Sequence, residues 1–209
     1  MSFNTFSSTQ KTYGGSHFVW HEVRKRLLSG GTLPTPLPPV GTVIPAGTPV
    51  QIDEAGGTAK LLEFFEVAAP VTATDTVVKV KAGLGLPKPD EGMAIMAAPS
   101  TLTASGKSIA ATNVTYDSSD NTYSFTIAAN DLGVLAAGAI LVNAASVGTS
   151  VKVAAIPNAL TWNDVYIKEG TYAATVAGVV DGTIYADRIA PLPDSVKALF
   201  PAILFQKGV

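Results

Sequence analysis

Cysteine is absent from this 209-residue chain, histidine occurs only twice, and charged residues make up just 14 % of it. Without cysteine there is no disulfide framework, no thiolate metal site and no thiol nucleophile. The scarcity of histidine confines any imidazole chemistry to His17 and His21. Charge is well below the quarter or so that is usual for a globular domain, while hydrophobic residues reach 47 %. A monomer of this composition is poorly protected against association, so part of its apolar surface is expected to be covered in a homo-oligomer. Long apolar runs are missing as well, because Gly, Pro or charge interrupts each stretch before it reaches the ~18 residues of a membrane span. The stretch from Met1 to Gly15 is rich in Ser and Thr and has no apolar core of the kind a secretory signal needs. The expectation is a protein with no membrane partner, assembled in the cytoplasm. Fourteen basic against sixteen acidic residues give a net charge of −2, which offers a polyanion no attraction. No nucleic-acid partner is expected.

The residues that remain do not assemble into a recognisable chemistry. His17 and His21 would share one face of a helix, a metal-capable spacing, but Glu22 follows the second histidine, whereas a zincin needs its general base after the first. No serine lies in a G-x-S-x-G elbow. Gly83-Leu84-Gly85-Leu86-Pro87-Lys88 lacks the third glycine of a phosphate loop, and Pro87 removes a donor such a loop would use. Asp117 and Asp120 lack the alternating oxygens and glycine of a calcium loop and read as turn residues. No enzyme activity, cofactor or metal site is predicted.

What is present is β texture. The fold class expected is mainly β, with small β-barrel, β-roll or sandwich modules, a short N-terminal arm and a short C-terminal helix. Val78 and Val80 alternate with Lys79 and Lys81, as a strand with one wet face requires. Residues 109–116 and 122–128 flank a polar Asp117–Asn121 turn and predict a hairpin. Asp181-Gly182 reads as a further hairpin turn, and Asp194 can cap a helix that Pro201 stops. Two segments echo one another, Ile44 to Val50 and Leu135 to Leu141, each with a glycine turn leading into an apolar strand. Between residues 17 and 28, Val19, Val23 and Leu27 have helical spacing, yet the same residues also read as a strand. Four prolines between Pro34 and Pro39 favour an extended spacer. The expected division is an arm and linker over 1–39, a β-rich domain over 40–160 and a C-terminal β/oligomerisation segment over 161–209.

Several stretches resemble the head fibre proteins of short-tailed bacteriophages, the family named for the head fibre of phage phi29 and found also among crAss-like gut phages. They are Gly41 to Val50, Asn163 to Ile167 and, above all, Val179-Val180-Asp181-Gly182-Thr183-Ile184-Tyr185-Ala186-Asp187-Arg188-Ile189. The resemblance covers most of the chain beyond Pro39. It implies a virion structural protein without enzymatic activity, a head fibre or capsid decoration subunit, homotrimeric and attached to the major capsid or another head protein on the capsid surface. The chain has no heptads or collagen repeat, so it departs from members with long shafts.

Two groups of residues follow as candidates. His17, Phe18, Trp20, His21, Arg24 and Arg26 combine the aromatic and basic side chains that interface cores favour, and are expected to attach the protein to the capsid. Leu199, Phe200, Ile203, Leu204 and Phe205 form an apolar ending that has to dock on something and are expected at the oligomer interface. An alternative is a receptor-binding adhesin, whose partner would be a host surface glycan or protein. For that role Trp162, Tyr166 and Tyr172 are the aromatic cluster to consider.

Overall fold

The computed structural model describes residues 18–129 and 131–208. The chain enters through β1 (Trp20–Arg26), β2 (Gly31–Thr32), β3 (Val43–Ile44), β4 (Pro49–Asp53) and β5 (Thr58–Leu61). Its middle supplies β6 (Phe64–Glu66), β7 (Val77–Lys81), β8 (Ala94–Ala97), β9 (Gly106–Ala110), β10 (Thr112–Asp117), β11 (Thr122–Thr126), β12 (Ile140–Asn143) and β13 (Gly148–Val151). It returns through β14 (Ala159–Thr161), β15 (Val165–Tyr166), β16 (Thr175–Val176), β17 (Gly178–Tyr185), a one-turn helix α1 (Asp194–Lys197) and β18 (Ile203–Gln206). The fold is mainly β, with curled sheets and a half-barrel.

Both ends of the chain meet in one sheet, ordered β1-β17-β14-β4-β5-β2-β16, with β18 running parallel to the far half of β17. The middle of the chain forms a five-stranded sheet, β13-β9-β8-β12-β6, and a three-stranded sheet, β10-β11-β7. Three apolar clusters hold these layers. One, with Phe65, Val78, Val80, Ile95 and Phe125, lies wholly within the middle of the chain. Another, with Leu33, Ile44, Val50, Ile52 and Val176, belongs to the terminal sheet. The third joins the two regions, bringing Val19, Leu62, Leu160, Ile184 and Phe200 against Phe64, Met96 and Val142.

Local chemistry explains most of the turns. The two echoing segments adopt the same one: Thr48 N–H donates to Pro45 O at 3.3 Å and Ala139 N–H to Ala136 O at 3.0 Å, with Gly47 and Gly138 at φ of +80° and +83°. That third position needs the left-handed region, which glycine enters without penalty. The predicted β7 has Val78 and Val80 buried, and the predicted hairpin is present as β10 and β11 with Tyr116 opposite Tyr123. Its turn is held by Asp117, whose Oδ1 accepts from Ser119 N at 2.9 Å. A helix forms at the expected place, but Asp194 is its first residue rather than its cap, Pro193 holds the capping position without a side-chain bond, and the helix ends by Lys197.

Three expectations are corrected. The helical reading of residues 17 to 28 gives way to strand β1, antiparallel to β17. The helix-like spacing arises because the register slips between Trp20 and Glu22, again between Val23 and Lys25, and again between Lys25 and Arg26. Such bulges insert extra residues, so Val19, Val23 and Leu27 turn inward at intervals of four rather than two. Asp181-Gly182 is not a turn but the middle of β17. Its glycine answers a close approach instead, since a Cβ there would lie 2.5 Å from the Glu22 carbonyl oxygen. The terminal sheet draws its strands from residues 1–39, 40–160 and 161–209 alike. The proline run makes no strand, yet Leu33 is buried and Leu37 packs beside it, so the run lies on the body rather than standing off it.

Candidate functional site

Strand β17 is flanked by β1 on one side and by β14 and then β18 on the other. The residues expected to attach the protein and those expected to join its copies thereby come to the same ribbon. Phe18 is 65 % exposed at its end. Trp20 is half-buried, and its indole N–H donates to Thr161 O at 3.2 Å. His21 Nδ1 lies 2.9 Å from the Tyr185 hydroxyl, with the rings edge-to-face at 5.7 Å. Arg24 pairs with Asp181 at 2.8 Å and Glu22 at 2.9 Å, and Asp181 in particular holds the guanidinium in its charged form. Arg26 lies 4.0 Å above the Trp162 ring. Arg188, from beyond β17, donates to Phe18 O at 2.9 Å and covers Tyr185 at 4.4 Å. His17 lies outside the described residues, so the His17–His21 pair is not placed.

The C-terminal candidates divide. Phe200 and Ile203 are buried in the cluster that joins the two regions, while Leu199 and Leu204 are exposed and Phe205 packs half-buried against that cluster. In an alternating strand this is the expected consequence of period two: Ile203 faces in and Leu204 faces out. Beside β1, a groove of about 370 Å³ runs between Phe18, Trp20 and His21 on one wall and Trp162, Asn163 and Asp164 on the other. Asp164 anchors that wall by accepting from Ala46 N–H at 2.7 Å. The structure thus unites Trp162 with the N-terminal aromatics but leaves Tyr172 exposed outside the groove lining.

A second feature lies where the two regions meet. Glu63, between β5 and β6, is only 8 % exposed. Its backbone is fixed by Asn143, whose side-chain oxygen accepts from Glu63 N–H at 2.9 Å and whose own N–H donates to Glu63 O at 3.1 Å. Burial, with the Asp90 carboxyl nearby, pushes its pKa up to about 8. Asp90 belongs to a turn closed by Met93 N–H donating to Asp90 O at 3.1 Å, and burial raises its pKa too.

No protein-family model, curated protein or solved structure matches the chain. No helix among the described residues is long and apolar enough to cross a membrane. Among the described residues, no group of three or more His, Asp and Glu is arranged to hold a metal.

Reading the sequence alone did not single out Tyr185 and Arg188 as members of the ribbon, although both fall in the Val179–Ile189 stretch that carries the family resemblance. Glu63 and Asp90 went unremarked, and nothing local could have found them. The two acids lie far apart in sequence and belong to no motif, and only the packing of the two regions brings them to one place.

Proposed function

We propose that this chain is a structural subunit of a bacteriophage particle, a head fibre or capsid decoration protein that acts as a homotrimer on the capsid surface. The observation that carries the reading is the β1-β17-β18 ribbon. The stretch most like the head fibre family runs through its centre, and the outward Phe18, His21, Arg24 and Leu204 give it the aromatic, basic and apolar mixture of an interface core. The low charge of the chain supports burial of further surface between copies. Specific antibody labelling of purified particles, viewed by electron microscopy, should decorate capsids. Light scattering should return about three times the 21.5 kDa chain mass. A monomer at micromolar concentration, or unlabelled particles, would remove the proposal.

A second reading, a receptor-binding adhesin recognising a host surface glycan or protein, is favoured by the groove between Trp20 and Trp162, since sugar-binding surfaces use aromatic faces. Trp162→Ala separates the two. Particles that carry the variant at normal copy number but adsorb poorly to host cells support the adhesin, whereas particles that lack it support attachment through this face.

A further inference from the structure

The cleft at Glu63 is walled on one side by the proline run, with Leu33, Pro34, Pro36 and Leu37, and on the other by Met93 and Ala144; its volume is about 540 Å³. The polar groups along it are mostly spent. Asn143 uses its oxygen on Glu63 N–H and its amide on Leu61 O, and Glu91 uses both carboxylate oxygens on the N–H groups of Asn113 and Val114. The Glu63 carboxyl is the exception. It is more than nine-tenths buried, lines the cleft, and has no hydrogen bond or ion pair among the described residues. Asp90 Oδ1 is buried without a hydrogen bond as well. The adjacent Thr42 hydroxyl, equally unbonded, is near enough to lower the Asp90 pKa but is not in hydrogen-bond geometry.

We propose that this cleft binds an alkyl chain ending in a primary ammonium group, with Glu63 and Asp90 receiving the cation and the proline wall receiving the methylenes. The chemistry of what is unsatisfied selects the ligand. Two carboxyls with free acceptor capacity call for a donor that carries positive charge, and a buried acid without such a partner is costly. A hard divalent ion is a poorer fit, since calcium takes six to eight oxygens and magnesium an octahedron, whereas much of this lining is proline, leucine, methionine and alanine. An ammonium group supplies three donors and one charge, and its stem is content against apolar walls. The cations already present do not fill the role. Lys60 on the rim forms no ion pair among the described residues, and Lys88 acts on Asp90 rather than on Glu63.

The site carries its own pH signature. The charged groups along the cleft are Asp90, Glu91 and Lys60; of these Asp90 acts on Glu63, and Lys88 acts in turn on Asp90. In the empty cleft the Glu63 carboxyl holds its proton until about pH 8, so binding an ammonium ion at neutral pH expels that proton to solvent. Apparent affinity should therefore rise roughly tenfold from pH 6 to pH 7 and level off above pH 8, while the ligand itself stays charged.

The test is an NMR titration of the full chain with butylammonium, with acetyl-lysine-amide and with calcium, each at pH 6, 7 and 8. Butylammonium should shift amides of Glu63, Asp90 and Met93 with the stated pH dependence, and Glu63→Gln and Asp90→Asn should each weaken it at least tenfold. Equal binding of acetyl-lysine-amide assigns the natural guest to a lysine side chain of a partner protein; its exclusion assigns a free amine. No shift with butylammonium, binding unchanged in both variants, or calcium binding in its place overturns the proposal. None of these outcomes bears on whether the protein belongs to a virion.

Discussion

The middle of the chain pairs only with itself, partly between neighbours, as in β8 with β9 and β10 with β11, and partly across the segment, as in β6 with β12 and β7 with β11. In the terminal sheet, β1 pairs with β17 and places Trp20 opposite Ile184. The first arrangement is self-contained, its longest closure staying within residues 64–151, and its own apolar cluster needs nothing from the chain ends. The second depends on two distant segments arriving together, and the cluster that joins the regions takes Val19 from one end and Phe200 and Ile203 from the other. Damage to an end should therefore spread, whereas damage to a central loop should stay local.

Deleting residues 1–33 is the sharpest way to break that comparison. It removes β1 and β2, and with them Val19 and Leu33, whose burial is worth about 1.5–3 kcal/mol each. It also uncovers one edge of β17 along the register from Val179 to Ile184. Against a total stability on the order of 5–15 kcal/mol, this should leave an aggregating chain. A five-residue Gly-Ser insertion after Ser119, in the β10–β11 turn, should by contrast cost about 1 kcal/mol or less. Soluble yield and thermal melting measure both. If the truncated chain were soluble with an unchanged melting temperature, β1 would be a detachable arm after all.

The junction between the regions gives the next largest effect. Glu63 has its pKa raised by burial to about 8, above its unfolded value, so the folded state holds a proton that the unfolded chain releases. Its contribution is complete below about pH 4.5 and is lost as pH rises toward 8, at up to about 1.4 kcal/mol per unit. Glu63→Gln removes that dependence. The variant should match the parent at pH 5 and exceed it by several kcal/mol at pH 8.5 in urea unfolding. Parallel curves at both pH values would mean that the Glu63 carboxylate is already solvated.

The same contrast decides what could be read from the sequence. Where a pattern is set within one strand or one turn, it survives: the valine–lysine alternation of β7, the polar turn before β11 and the glycine turns of the two echoing segments all appear in the fold as their residues imply. Where pairing is distant, local signals mislead. The bulges of β1 imitate a helix, and Asp181-Gly182 imitates a hairpin because the glycine is needed by a strand contributed from the other end of the chain. The proline run resembles a linker because proline cannot join a ladder, yet that leaves it free to pack through Leu33 and Leu37. The ribbon was half legible, since its aromatic and basic residues stood out, but its completion by Arg188 and Tyr185 depended on tertiary pairing.

Two glycines sharpen the comparison further. At Gly182 a new methyl group would meet the Glu22 carbonyl oxygen at 2.5 Å, so Gly182→Ala must push β1 outward, costing about 1–3 kcal/mol. At Gly83, in the middle of the chain, the nearest atom is Leu86 Cδ1 at 3.5 Å, an ordinary contact. Gly83→Ala should be neutral or stabilising by up to about 1 kcal/mol through the unfolded chain. An unchanged or raised melting temperature for Gly182→Ala would show that β1 yields more easily than the terminal sheet implies.

The smallest effect belongs to the Arg26 guanidinium over Trp162, and its size is informative because this contact pins the last residue of β1 to the loop beyond β14. A cation over an indole at an exposed site is worth about 0.5–1 kcal/mol, and an arginine adds contact through its stem. Arg26→Ala should therefore lower stability by no more than about 1 kcal/mol, and Arg26→Lys by less, since lysine keeps the charge but loses the planar stack. Because Trp162 is itself partly exposed, its fluorescence reports the contact directly, and removal of the guanidinium should change its emission and its quenching by iodide. A double-mutant cycle with Trp162→Ala isolates the pair from the burial of either side chain. A coupling near zero would mean that the two rings of the groove, Trp20 and Trp162, are held by the sheet alone. A coupling well above 1 kcal/mol would mean that the distant closure of β1 relies on this one surface contact more than on its ladder.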